Sequence, residues 1–442
     1  MKISVAGTGY VGLVTAVCLA ENGHDVICVD IDEKKIAMLN SGQSPIFEDG
    51  LEELMQKNKE RLTYTTDYKS AYKDSAVIMI AVGTPEKKDG SANLTYVFEV
   101  ATQIAKSVET DVIIVVKSTV PIGTNERVEK VTRDNLQFDV NVEIASNPEF
   151  LAQGTAVNDT LYASRIVIGV QSKAAEHVLM DVYKGFNQKI VVTDRKSAEM
   201  IKYASNDFLA LKVSYINEIA NLCEIVGANI EDVAYGMGLD QRIGSKFLQA
   251  GLGYGGSCFP KDTKALHWLA SFFDYELKTI KAAIEVNENQ KLKLIKKSRK
   301  YYDGFSGLNV AVLGLTFKPN TDDLRDAPSL DNIPIFLDDG AIVRAYDPIG
   351  EKNYRKLYPA QIEYCKTIEE TIVNADICFI FTEWDTIKNF DVLKYAELMG
   401  NPIIMDGRNC YSLDKMLGLD VVYESIGRKI VGGKVNEFQR RI

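Results

Sequence analysis

Ile3-Ser4-Val5-Ala6 runs without a break into Gly7-Thr8-Gly9-Tyr10-Val11-Gly12, and helix-forming residues follow from Leu13 to Asn22 before Gly23. A buried strand, a glycine turn and a helix in that order commit the chain to a parallel α/β sheet. The helix must carry the chain back across one face before the next strand can pair. The glycine spacing adds chemistry to the fold. Gly7 permits the tight turn, Gly9 lets a pyrophosphate approach the backbone, Gly12 allows close helix-on-strand packing, and the helix N-terminus faces the phosphates. The next strand, Asp25 to Val29, ends in Asp30, about 20 residues beyond the glycines, where a carboxylate accepts from ribose hydroxyls and repels a 2′-phosphate. With Tyr10 and Val11 in the turn, these residues point to NAD rather than NADP. Lys35 either caps a phosphate or ribose edge or is a solvated helix lysine.

Further apolar runs, Ala76–Val82, Val112–Val116, Val142–Ala145 and Arg165–Ile168, read as strands of the same parallel sheet, covered on both faces. The first three end in Gly83-Thr84-Pro85, Ser118-Thr119-Val120-Pro121 and Asn147-Pro148-Glu149-Phe150-Leu151. Ligands of open α/β sheets sit beyond the carboxyl ends of strands, so Thr84, Thr119 and Glu149 are candidates to meet them. From Ser197 to Val226 the pattern turns helical and is apolar on more than one face, which suits a spine between domains or a dimer contact. Lys202 and Asn206, four apart, share a face; they form either an oxyanion pocket or a solvated pair.

A second strand and glycine unit, Asn309 to Lys318, is followed by Ala341–Pro348 and Ala375–Phe381 and keeps only Gly314 of the fingerprint. It reads as a second nucleotide-type fold, with Lys318 standing where the glycine loop would meet a pyrophosphate. The expected architecture is α/β: Rossmann-like doubly wound domains over residues 1–195 and 301–442, joined by a central helical region, 196–300, with the spine helix. At 442 residues the chain is too long for one core. A formal net charge of −10 argues against nucleic acid as a partner. Seven cysteines, an odd number without metal-ligand spacing, suit a reducing compartment and give no metal site. Cys18, Cys28, Cys223 and Cys378 read as core. Met1-Lys2 leads straight into a strand, leaving no room for a signal peptide, and no apolar run is long enough to span a bilayer, so the cytoplasm is expected. Arg428-Lys429 through Arg440-Arg441 reads as a solvated basic end.

Gly255-Gly256-Ser257-Cys258-Phe259-Pro260-Lys261-Asp262 sets one cysteine between flexible glycines and the start of a helix, with Pro260 suited to the first helical position. Cys258 is either a space-filling residue or a reactive thiol at the positive end of a helix dipole, with Lys261 adding charge. An unperturbed cysteine is about 3% thiolate at neutral pH, so full activation gains at most roughly thirtyfold, about 2 kcal/mol. Sulfur itself matters more than its surroundings.

Taken in order, these segments resemble the UDP-glucose/GDP-mannose dehydrogenase family over essentially the whole chain. The resemblance rests on Gly7 to Leu13, Lys117 to Thr124, Asn147 to Leu151, the Lys202 and Asn206 pair, Gly255 to Asp262, and Phe317-Lys318-Pro319 with Leu324-Arg325. Gly-Gly-Ser-Cys-Phe-Pro-Lys-Asp is similar to the form carried by the family's UDP-glucose-oxidising branch. Leu252, Tyr254 and Ala152-Gln153-Gly154 depart from the common pattern.

The resemblance implies NAD-dependent four-electron oxidation of the C6 alcohol of UDP-glucose to UDP-glucuronate, through a thiohemiacetal and thioester on Cys258. It implies that Lys202 and Asn206 stabilise the oxyanion, that Asp262 positions or deprotonates water, and that Glu149 and Thr119 are the other acid/base candidates. Glu149, Phe150, Leu151, Lys202, Asn206, Phe247-Leu248-Gln249-Ala250-Gly251, Gly255, Cys258 and Lys318 would meet the nucleotide sugar, with Arg242 reaching in from a partner subunit. Lys261 and Arg325 would contact NAD, along with Thr84, Thr119 and Glu149. A homodimer through the spine helix is expected. The alternatives are the same chemistry on UDP-N-acetylmannosamine or GDP-mannose, a single-hydride hydroxyacid dehydrogenase, and an NAD-sensing module without turnover.

Overall fold

The computed structural model describes residues 1–432; Arg440 and Arg441 of the basic end lie outside them. The chain divides into two compact units, Met1–Ser205 with Lys264–Asp274, and Asn206–Thr263 with Tyr275–Ile442.

In the first unit an eight-stranded sheet has the order β3-β2-β1-β4-β5-β6-β7-β8. Its strands are β1 (Lys2–Ala6), β2 (Asp25–Val29), β3 (Leu62–Thr65), β4 (Val77–Ile80), β5 (Val112–Val116), β6 (Val142–Ser146), β7 (Ile166–Gly169) and β8 (Ile190–Thr193). Alternation assigns the two faces. Ile3, Val5, Val77, Met79, Ile113 and Val115 join one apolar cluster, while Ala6, Ile78, Ile80, Ile114 and Val116 join the other. β1 pairs in parallel with both β2 and β4, so the strand order reverses on either side of the glycine turn. Arg165–Ile168 was expected in a wholly parallel sheet, but β7 pairs antiparallel to β6 through Ser146 and Gly169. Between them lies only the short helix Ala156–Leu161, so the chain re-enters the sheet from the end it left and makes no crossover.

The second unit repeats the scheme in seven strands, β11-β10-β9-β12-β13-β14-β15. These are β9 (Asn309–Leu313), β10 (Ile342–Tyr346), β11 (Ile362–Tyr364), β12 (Ile377–Ile380), β13 (Ile403–Asp406), β14 (Val422–Glu424) and β15 (Val431–Gly432). Only the β14–β15 pair is antiparallel.

A single helix, Arg195–Val226, is 32 residues long, or about 48 Å. Asp194 caps its start by accepting from Ser197 N at 2.9 Å and Ser197 Oγ at 2.6 Å. Gly227, at φ +79°, ends it, and the amides of Gly227 and Ala228 both donate to the Cys223 carbonyl. Ala210, Ile216, Ala220 and Cys223 are buried, whereas Phe208, Tyr215, Leu222, Ile225 and Val226 are exposed. Among the described residues no helix is long and apolar enough to cross a membrane.

Arg428 is not part of a solvated end. It is 3% exposed, and its guanidinium donates to Ser425 Oγ at 2.9 Å, Tyr423 Oη at 2.8 Å and Glu231 Oε1 at 2.8 Å. Arg428→Ala should therefore cost about 2–4 kcal/mol, because it strands buried acceptors. A lowered urea midpoint checks this, and Arg428→Lys should recover only part of the loss because it lacks the planar fork.

Candidate functional site

The glycine turn after β1 is shaped as its sequence requires. Gly7 sits at φ +101°, and a Cβ there would stand 2.7 Å from the Ala81 carbonyl oxygen. A Cβ on Gly12 would collide with the Gly7 carbonyl, whereas one on Gly9 would meet nothing within 4 Å. Gly9 thus presents open backbone where a pyrophosphate would lie. The helix Tyr10–Glu21 begins immediately after it, and Tyr10 Oη donates to the Phe47 carbonyl at 3.1 Å. Asp30, at the end of β2, accepts from Thr8 N at 2.9 Å and Thr8 Oγ1 at 2.6 Å, and from Asp32 N at 3.1 Å. Burial pushes its carboxyl up, but the Thr8 and Asp32 bonds and the Lys35 charge outweigh that and hold it below the usual range. Lys35 Nζ is 4.0 Å from Asp30, so this lysine serves the carboxylate. A carboxylate offers about four lone-pair sites, and the one left over suits a ribose hydroxyl. Thr8 was not singled out from the sequence; its place inside the fingerprint was the available signal.

Beyond β4, β5 and β6 the loops approach one another. Thr84 Oγ1 donates to the Thr119 carbonyl at 2.9 Å. Glu149 is buried and accepts from the amides of Phe150 at 2.6 Å and Leu151 at 2.7 Å, while Lys117 Nζ lies 3.0 Å from its other oxygen. Burial would raise its carboxyl, but Lys117 first and then Lys202 hold it below the ordinary range, so it stays ionised. Asn147 fixes the pair: its Oδ1 accepts from Lys117 at 3.1 Å and from Tyr183 Oη, and its Nδ2 donates to the Val167 carbonyl at 2.7 Å. Lys117 is the functional neighbour that the sequence did not single out. It stands 32 residues from Glu149 by number, a separation that only the sheet closes. Lys202 is buried with its Nζ 5.1 Å from the Phe150 ring centroid. Among the described residues its ammonium has no hydrogen-bond or ion-pair partner, which leaves its protons for an incoming oxyanion.

In the second unit the thiol stands where expected. Of the seven cysteines Cys258 alone is exposed. It immediately precedes the helix Phe259–Phe272, so Pro260 is the second helical residue, not the first. The Asp262 amide donates to the Cys258 carbonyl at 2.8 Å, closing the first turn, and Ser257 Oγ is 3.7 Å from the sulfur. Asp262 is 1% exposed; its Oδ2 accepts from Asn206 Nδ2 at 2.7 Å and its Oδ1 from Lys261 Nζ. Asn206 is therefore committed to Asp262, and the Lys261 charge is given to the same carboxylate.

Gly255 and Gly256 pack on Phe317 and the Asp326 carbonyl, and Gly251 is held by Asn217 Oδ1 at 2.8 Å and Gln290 Nε2 at 2.7 Å. Phe247, bulky yet at φ +65°, opens the 247–251 run in a strained conformation. Leu248 and Ala250 are buried and Gln249 is exposed. Lys318 Nζ lies 5.6 Å from the Phe317 ring. Arg325 forks onto Asp323, at 2.9 and 2.7 Å. Arg242 is exposed, its guanidinium on Asp240 at 2.6 Å.

The second sheet departs from the first at Gly314. No helix follows until Pro328–Asp338. Asp347 stands just after β10 as Asp30 stands after β2, yet its Oδ2 accepts from Leu315 N at 2.6 Å and Trp384 Nε1 at 3.0 Å, and its Oδ1 from Ile349 N at 2.9 Å and Gly350 N at 2.6 Å.

Three adjoining segments match one family in its own order. Residues 1–187 match the NAD binding domain of the UDP-glucose/GDP-mannose dehydrogenase family, 196–289 its central domain and 311–413 its UDP binding domain. The chain belongs to that family. UDP-glucose 6-dehydrogenase YwqF of Bacillus subtilis (strain 168) is 50% identical over 433 residues, covering 98% of each chain. A UDP-glucose dehydrogenase structure from the hyperthermophilic archaeon Pyrobaculum islandicum superposes with TM-score 0.91 at 34% identity, covering 97% of this chain and 98% of that one. A UDP-D-ManNAc dehydrogenase structure from Pyrococcus horikoshii gives TM-score 0.86 at 27% identity, covering 97% and 99%. The protein is an NAD-dependent dehydrogenase, and the open Gly9 backbone and the Asp30 carboxylate fit that cofactor.

Lys117→Met should destabilise the protein by about 3–5 kcal/mol by leaving Glu149 buried and unpaired, and Glu149→Gln in the same chain should restore part of it. The pair's stabilisation is present above the ordinary carboxylate range and lost as pH falls through the lower folded value of Glu149. Unfolding of wild type and double variant should therefore converge on acidification.

Proposed function

We propose that this enzyme oxidises the C6 alcohol of UDP-glucose to the carboxylate of UDP-glucuronate, passing through a thiohemiacetal and a thioester on Cys258. The observation that carries the reading is the exposed Cys258 one helical turn from the buried Asp262, whose carboxylate is already bonded to Asn206. Bound NAD supplies the hydride acceptor, two electrons at each oxidation. An aldehyde passes to the acid level only if a nucleophile first adds to its carbon. The sulfur adds, its proton passing to solvent and the carbonyl electron pair to oxygen, and loss of hydride from that carbon to the bound cofactor then leaves the thioester. Lys202, whose ammonium has no hydrogen-bond partner among the described residues, stabilises the oxyanion, while Asn206 holds Asp262 in place. Asp262 takes a proton from water as the water oxygen adds to the thioester and the C–S bond breaks, which releases the acid and returns the thiolate.

In this reading Gly7, Gly9, Tyr10, Val11, Gly12, Asp30, Lys35, Thr84, Thr119, Lys261 and Arg325 serve NAD. Phe150, Leu151, Phe247 to Gly251, Gly255 and Lys318 serve the nucleotide sugar. Glu149, held ionised, serves as a base and a contact. The three-part division at residues 195 and 300 belongs to the same reading, as does a cytoplasmic setting. UDP-glucose is favoured over the acetamido sugars because the relatives named for it share more of this sequence.

A homodimer completes the proposal. Phe208, Tyr215 and Leu222 repeat every seven residues along the spine helix and are 60%, 48% and 52% exposed, with Ile225 and Val226 at its end. An apolar stripe of that spacing suits a second helix of the same kind. Arg242 of one copy would then reach the sugar of the other. Light scattering should give twice the chain mass, and Phe208→Glu with Leu222→Glu should give the mass of one chain.

The decisive assay is NADH formed per UDP-glucose consumed. Two are expected for wild type, with steady turnover abolished in Cys258→Ser. One per sugar, or turnover indifferent to the substitution, would displace the covalent mechanism.

A further inference from the structure

Asn206 and Asp207 are neighbours on the spine helix, and both meet Asp262: Asn206 by its hydrogen bond, Asp207 through the Asp262 charge that bears on it. Asp207 is 2% exposed, and neither of its carboxyl oxygens has a hydrogen-bond partner among the described residues. A carboxylate out of water without donor or cation is costly, and such a group keeps its proton instead. The titratable and charged groups that face it offer no relief. From the thiol helix comes Asp262, itself anionic, whose two oxygens already hold Asn206 and Lys261. From the loop before that helix comes Tyr254, whose hydroxyl burial pushes up to about 12, with Asp207 itself contributing. Burial, and then the like charge of Asp262, push the Asp207 carboxyl up to about 8.

We propose that Asp207 is a positioning residue that carries the one proton of a buried two-carboxyl pair, so that Asp262 remains the charged member and the base that acts on water. Two carboxyls close together do not both ionise at neutral pH, and the better-solvated or better-bonded one keeps the charge. Asp262 has the amide and the ammonium; Asp207 has neither. The coupling runs both ways. When Asp207 gives up its proton at alkaline pH, a second negative charge stands beside the carboxylate that acts on water. The role rests on the thioester reading above, but the protonation state of Asp207 does not.

The test compares wild type with Asp207→Asn and Asp207→Ala, the second variant covering failure of the first to fold. Thermal unfolding reads the proton directly. A carboxyl whose folded value is raised stabilises the fold below its unfolded value, and that contribution is lost as pH rises through the folded one. The variants should therefore gain in Tm on wild type between about pH 5 and pH 8 and hold a constant difference above that. A difference flat with pH would overturn the neutral-acid assignment. The rate of NADH formation with UDP-glucose reads the coupling to Asp262. The ratio of wild-type to variant kcat should rise at least about threefold between about pH 7 and pH 9. A flat or falling ratio overturns it. If no protein turns over UDP-glucose while the Tm difference behaves as stated, the proposed function fails and the carboxyl pair stands.

Discussion

The strands around β1 are covered on both faces, and that leaves a charged side chain only the strand ends to stand on. Everything chemical in the first unit follows from this confinement. Thr8 and Asp30 meet past β1 and β2, Thr84 and Thr119 past β4 and β5, and Lys117 and Glu149 past β5 and β6. The same confinement makes the Lys117 and Glu149 charges buried, so each needs the other, and Asn147 is used to hold them at one distance. In the second unit the corresponding service is done by helices. One turn joins Cys258 to Asp262, and the spine helix supplies Asn206 to hold the carboxylate.

What the sequence made legible was local. A glycine fingerprint, a carboxylate at the end of the next strand and a cysteine just before a helix all lie within one or two structural elements, and the side chains they imply are found in place. The contacts it concealed are those that only the sheet or a helix pair brings together. Lys117 lies in a motif of its own and Glu149 in another, and nothing in either segment names the other as its partner. The reversed direction of β7 was hidden for a similar reason: an apolar run has no sign, and direction is set by the connection, whose helix Ala156–Leu161 is too short to cross the sheet. Arg428 read as tail because charge is usually solvated; it is buried because Tyr423, Ser425 and Glu231 converge on it. Asn206 was paired with Lys202 by helical spacing, which is sound, but spacing cannot show that its amide is already engaged.

Asp347 has a consequence for anyone who would re-engineer this chain. The two sheets share a strand order, and Gly314 keeps the left-handed bend of Gly7, so grafting the missing glycines after β9 looks like a short route to a second dinucleotide pocket. It would fail on bonding as well as on shape. The carboxylate that ought to greet a ribose has become the knot that ties Leu315, Ile349, Gly350 and Trp384 together. A cofactor could claim it only by untying the loops around it.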